Sequence, residues 1–280
     1  MANETTSSTI SELYTEIVAE ALFVASERSL MRGLVKNYTI AGGGKSVEVP
    51  IYAVVSAAAV ADATDLANTA INPSSVTITA SEVGIMTTLT DLARNSASRN
   101  VAADIGKLFG EAIAKKIDVD LITLFDGFSK IVGGADVAFS AAKLFEATAE
   151  LRNLGVPTQD LACVVHPYIA YDLKAAITNT YANPNPSDVA NEAMSTGFVG
   201  RIAGVPVYES SNVPAYATGD YKGALFHKDA LGLAMMQDLK IETQRDASMR
   251  ADEIVATAVY GVGELHDTYG VELMMDSSLA

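Results

Sequence analysis

The sequence predicts an α+β fold, and three observations carry that reading. Helical periodicity is concentrated in a few segments, above all from Asn100 to Phe128. Branched and alternating residues, the mark of strands, fill much of the remainder, including the stretch from Leu239 to Met275. The two kinds of segment mix without the regular strand–helix–strand repeat of a doubly wound parallel sheet.

From Thr9 to Leu34, apolar residues at Ile10, Leu13, Ile17, Ala21, Val24 and Ala25 recur near helical spacing after a Ser/Thr-rich lead-in, and Gly33 is expected to stop this helix. The next stretch, "TIAGGGKSVEVP", invites comparison with a phosphate-binding loop. Such a loop needs a glycine where Thr39 stands and must open a helix, so that the backbone N–H groups and the dipole meet the phosphate. Here "VEVPIYAVV" follows and reads as a strand, as does the preceding "NYTI". Gly42, Gly43 and Gly44 are therefore expected to turn the chain in a hairpin or sharp reversal, used for their access to positive φ. The chain then runs through "AVVSAAAVADATDLANTAINPSS", turns at Asn72-Pro73-Ser74-Ser75, and returns through the extended "VTITASEVGIMTTLTDL". The two limbs make a long arm with little to form a core of its own.

Between Asn100 and Phe128, Ile105, Phe109, Ile113, Ile117, Leu121, Leu124, Phe125 and Phe128 lie on one stripe, and Glu111 and Lys115 sit one turn apart as a supporting pair. At a rise of roughly 1.5 Å per residue this helix is about 40 Å long, enough to span the molecule. A second helix is predicted from Ser140 to Leu154, closed by Gly155 and Pro157. "LACVVH" reads as a buried strand, and Pro167 opens a third helix through Ile169, Leu173 and Ile177. The polar "NTYANPNPSDVANEAMSTG" reads as a surface loop, and "VGRIAGVPVYESSNVP" and "GALFHKDALGLAMM" as strand-rich pieces.

A formal charge of −15 argues against gripping nucleic acid, which needs clustered Lys and Arg against the phosphates. The single cysteine, Cys163, cannot form an internal disulfide, and the cytoplasm is the simpler compartment. The N-terminus lacks the basic start of a secretory signal, and the apolar run from Val49 to Ala61 is too short to cross a bilayer. A positive mean hydropathy of +0.23 without a membrane segment is explained by large contacts between subunits.

Catalysis needs an acid, base or nucleophile with an orienting partner. The three histidines, His166, His227 and His266, sit in no such motif. Cys163 and His166, at odd separation on one strand, face opposite ways, so Cys163 reads as a buried structural residue. Asp118 and Asp120, two apart on a helix, point in different directions and read as solvated or interface-facing charges. "HKD" at 227–229 lacks metal-site spacing, Ser210 and Ser211 miss the hydrolase nucleophile elbow, and the glycines of "GFVGRIAGVPV" precede a strand where a dinucleotide site needs a helix. No catalytic, cofactor-binding or metal-binding residue is assigned, and the reading is of a structural protein that is not an enzyme.

The order of the phrases "GGGKSVEVPIY", "SSVTITASEVGIMTTLTDLA", "IAKKIDVDLI", "LACVVHPYIAYDL", "GFVGRIAGVPVYESSNVP", "ALFHKDALGLAM" and "IETQRDASMRADEIVATAVYGVGEL" resembles the major capsid protein of tailed phages, the Hong Kong 97-type fold, over nearly the whole chain. The resemblance implies an N-terminal arm (1–37), an extended loop (38–92), a peripheral domain with a spine helix (93–137 and 238–280) and an inserted axial domain (138–237). It implies hexamers and pentamers closing into an icosahedral shell around double-stranded DNA, as a virion capsid assembled in the host cytoplasm. The acidic subunit suits a lining that does not grip phosphate. The three glycines would launch the extended loop across a neighbouring subunit, with Val54, Val55, Val60, Leu66 and Ile71 as candidate contacts between subunits.

Some members of that family weld subunits through a lysine near the loop tip, but Ala53 to Ile85 holds none, so noncovalent shells are expected here. Others carry a long scaffolding segment ahead of the arm. This sequence starts almost directly with the arm, which implies a separate scaffolding protein or a trimmed chain, together with a portal and decoration proteins as possible partners. An encapsulin-type nanocompartment shell would share the fold, and a soluble hydrolase using Cys163 or His166 is the remaining alternative.

Overall fold

The computed structural model describes residues 29–279 apart from 42–43, 53–54, 56, 58, 61, 63–64, 66–67, 69, 97–100, 181–197, 203 and 218. Its helices are α1 (Met31–Leu34), α2 (Asp91–Ser96), α3 (Val101–Thr123), α4 (Ala141–Asn153) and α5 (Pro167–Thr180). The strands are β1 (Lys36–Thr39), β2 (Ser46–Ile51), β3 (Ser74–Thr79), β4 (Ser81–Thr90), β5 (Ile131–Ala138), β6 (Leu161–Val165), β7 (Phe198–Ile202), β8 (Val205–Glu209), β9 (Asp220–His227), β10 (Leu231–Asp246), β11 (Ala251–Glu264) and β12 (Gly270–Asp276).

These strands form a four-stranded sheet ordered β1-β10-β11-β4, a six-stranded sheet ordered β5-β12-β9-β6-β8-β7, and the separate hairpin β2-β3. The helix α3 continues through a 3₁₀ turn at Leu124–Gly127. Its stripe of Phe109, Ile113, Ile117, Leu121 and Phe125 is buried against Leu233, Ile241, Ile254, Ala256, Ala258 and Tyr260 of the four-stranded sheet, and against Val164, Ala224 and Phe226 of the six-stranded one. The predicted stripe is therefore the element that joins the two sheets. The opposite face of the six-stranded sheet is covered by Leu144, Ala147 and Leu151 of α4 and Ile169, Ala170 and Leu173 of α5.

The predicted helices from Ser140 and from Pro167 form where expected, and all five residues of β6 are buried. The expected N-terminal helix lies outside the described residues up to 28, and Gly33 does not stop the piece that is described, because it sits inside α1 and the chain turns extended only at Val35.

"NYTI" and "VEVPI" do not pair with each other. Lys36–Thr39 runs parallel to β10, whereas Ser46–Ile51 pairs antiparallel with β3, so the glycine run joins two sheets and closes no hairpin between its flanks. Gly44 takes no left-handed φ, and Gly42 and Gly43 lie outside the described residues.

Both sheets draw on chain from either side of 138 and 237. Residues 131–138 and 270–276 pair as β5 with β12 inside the six-stranded sheet, and β10 runs continuously from Leu231 through 237 to Asp246. Parallel and long-range pairings of this kind leave no local mark in a sequence.

Candidate assembly interface

The hairpin β2-β3 holds its register from Ser46 opposite Thr79 to Ile51 opposite Ser74. Ser75 Oγ donates to Glu48 Oε1 at 2.5 Å and pins the far end. Beyond that end the chain presents apolar side chains to solvent: Tyr52 is 64% exposed, Val55 50%, Val60 46% and Ile71 58%. Large exposed apolar side chains are available to a partner, and each Å² they lose to one is worth roughly 25 cal/mol. Val55, Val60 and Ile71 are thus exposed, whereas Val54 and Leu66 lie outside the described residues.

The near end of the hairpin is seated on its own subunit. Ile78, 1% exposed, joins Ile40, Val49, Ala80, Ala234 and Leu265 in a small core on the face of the four-stranded sheet turned away from α3. Side chains alternate along a strand, so Tyr260 and Ala258 meet the helix while Gly261 and Gly263 open the other face. Gly232 stands opposite Gly263 on β10.

A Cβ at Gly232 or Gly263 would come within 2.9 Å of the Ile78 side chain, and one at Gly261 within 2.4 Å of the Thr79 carbonyl oxygen. This glycine socket was missed in the sequence reading. Its signal is the "YGVGE" stretch, where glycines two apart within a strand mark close approach of another backbone.

The root of the N-terminal segment is held by carboxylates. Asp118, 1% exposed, accepts from Ser29 Oγ at 3.0 Å, Leu30 N–H at 3.1 Å and Met31 N–H at 3.2 Å. It supplies from α3 the acceptors that the first turn of α1 lacks. Asp118 is therefore not the solvated charge that its spacing suggested, and burial pushes its carboxyl above the usual range against the pull of those three donors. Asp120 does point elsewhere, to Lys116 at 2.5 Å and to the Tyr260 hydroxyl, which donates at 2.8 Å. Arg32 pairs with Asp238 at 2.9 Å and Lys36 with Asp229 at 2.8 Å.

At the opposite end of the long strands, Arg245 grips Asp91 through both guanidinium nitrogens at 2.8 and 2.6 Å and reaches Asp252 at 3.1 Å. Arg94 of α2 closes the ring on Asp252 at 3.1 Å. Four alternating charges thus fasten the start of α2 to the β10–β11 tip.

The cysteine and two of the histidines considered in the sequence make structural contacts. Cys163 is fully buried between Val207 and Leu225, and desolvation pushes its thiol far up, away from a reactive thiolate. His166 stacks on Tyr221 at 3.8 Å, and its Nδ1 accepts from the Tyr168 N–H at 3.3 Å. His227 Nδ1 accepts from the Asp229 N–H at 3.2 Å. Among the described residues no group of three or more His, Cys, Asp or Glu could hold a metal ion, and no helix is long and apolar enough to cross a membrane.

The fold recurs among shell proteins. The chain matches the capsid of cyanophage P-SCSP1u with a TM-score of 0.68 at 20% identity, covering 89% of each chain. It matches the capsid of Ralstonia phage GP4 with a TM-score of 0.71 at 10% identity, covering 88% of this chain and 87% of that one. An encapsulin complex from Synechococcus elongatus matches with a TM-score of 0.61 at 16% identity, covering 90% and 88%. No curated protein matches the chain. A family model described as phage capsid protein matches residues 73–271, well over half of the sequence. The strands, the spine helix and the seated hairpin all fall within or against that match, and the chain belongs to the phage capsid protein family, with a Hong Kong 97-type fold and the structural role of a shell protein.

Proposed function

We propose that the protein is the major capsid protein of a tailed double-stranded DNA phage, assembling as hexamers and pentamers into a closed icosahedral shell around the genome. The observation that carries this is the arm beyond β2-β3, whose apolar side chains stand in solvent while its base is seated on the subunit. In this reading a scaffolding protein assists assembly and a portal occupies one vertex.

Electron microscopy of the protein produced in cells with its scaffold tests the reading. Closed shells filled with double-stranded DNA are expected. A compact monomer at high concentration would sink the shell role, and shells holding a cargo enzyme without DNA would assign the protein to the encapsulin-type compartments whose fold it shares.

A further inference from the structure

We propose that the glycine socket on β10 and β11 aims the arm, and that Ile78, as the positioning residue seated in it, thereby selects the curvature of the assembled shell. This rests on the arm's role in joining subunits. An arm that crosses to a neighbour transmits its exit angle to the next subunit, so a small tilt at its base changes the angle at which copies meet. Hairpins are soft in isolation, since two strands alone are marginal. Something in the subunit must therefore fix the angle.

The socket does this by contact on three sides. Gly263 lies under the Ile78 Cγ1 side, Gly232 under its Cδ1, and Gly261 under the Thr79 backbone. The Ala80 N–H donates to the Lys45 carbonyl at 2.7 Å and locks the two limbs together at the same level. Glycines leave only paired strand backbone beneath the knob, so no side chain can rotate aside and main-chain contact sets its seating depth.

The geometry separates two kinds of substitution. Gly263→Ala collides only with the Ile78 side chain, so shortening that side chain removes the conflict. Gly261→Ala collides with main chain at Thr79, so only lifting the hairpin relieves it.

The test uses the unassembled full chain with spin labels at Ser74→Cys, near the far end of the hairpin, and Thr243→Cys on β10. The native Cys163 is buried and takes no label. Gly261→Ala is expected to shift the label distance by about 2–4 Å, the lever effect of a lift of about 1 Å acting along a six-residue strand. Gly263→Ala is expected to shift it and Gly263→Ala/Ile78→Ala to bring it back, while Ile78→Ala alone broadens the distribution.

In assembly reactions the shifted variants are expected to give mostly tubes, sheets or shells off the wild-type diameter, and the paired variant to recover it in most particles. Unchanged distances, a failure of the size swap to restore them, or shifted distances with uniform wild-type shells would each overturn the proposal. If Gly261→Ala does not fold, the Gly263 pair decides. If the wild-type chain makes no shell, the shell reading fails and takes the curvature role with it, while the distances still decide whether the socket aims the arm.

Discussion

At the scale of single residues, Asp118 sets the clearest expectation. Its carboxylate is the acceptor for a hydroxyl and two backbone N–H groups of Ser29, Leu30 and Met31, and Met31 beside them is fully buried. Asp118→Ala leaves those donors without a partner and is expected to lower stability by about 2–4 kcal/mol in denaturant titration. Burial raises the folded-state carboxyl above its ordinary value of 3.8, so the folded protein binds this proton more readily than the unfolded chain. The proton-linked part of this group's stabilisation is full below the ordinary value and is lost as pH rises through the raised one, while its three accepted hydrogen bonds remain. Asp118→Ala should therefore flatten the stability profile on the acid side of neutrality, and a steeper profile in the variant would contradict the assignment. Cys163 gives a second test. With its thiol buried and its ionisation suppressed, a water-soluble thiol reagent should leave the native protein unlabelled and modify it fully after unfolding. The sequence shows that Asp118 and Asp120 point apart, a local matter of helical angle. It cannot show that Asp118 is buried, because the donors that bury it stand 87 to 89 positions away.

At the scale of elements, the same distinction between local and distant decides what could be read. The spine helix is legible because its periodicity is contained in its own residues, and Phe109, Ile113, Ile117, Leu121 and Phe125 are buried as their spacing requires. Leu121, fully buried between the sheets, is expected on substitution by Ala to cost about 3 kcal/mol, checked by reversible unfolding of the purified chain. The glycine run misled because two short strands on either side of glycines resemble a hairpin, whereas their partners, β10 and β3, lie far along the chain. The socket under Ile78 escaped for the same reason, although its alternating glycines are plain in the sequence once a strand is assumed. The arm behaves oppositely to the spine. Replacing residues 53–72 with a short Gly/Ser turn removes exposed apolar side chains and no part of the clusters around α3, so unfolding should stay cooperative and its midpoint nearly unchanged while shell assembly is lost. An unfolded subunit, or a normal shell, would remove the joining role from the arm.

At the scale of the whole molecule, the question is what holds copies together once they have met. An isopeptide weld between subunits needs an unprotonated lysine amine within reach of a neighbour, and the stretch from Ala53 to Ile85 carries no lysine. Lys45 lies at the seated base of the hairpin, where Ala80 bonds to its carbonyl. Lys36 is paired with Asp229 at 2.8 Å, and that hydrogen bond raises its pKa and keeps the amine protonated, a poor nucleophile. Cohesion then falls to buried area. An arm contact burying about 500 Å² of apolar surface contributes on the order of 10 kcal/mol before the cost of ordering it, and many such contacts in a closed shell act together. Detergent removes that term by solvating apolar surface directly, and heat removes the fold that presents it. Boiling assembled shells in detergent is therefore expected to release single chains at the 29.3 kDa of the sequence. A ladder of multiples surviving that treatment would show a covalent bond between copies, and Lys45 or Lys36 would then be the donors to replace by Arg, which keeps the charge and removes the reactive amine.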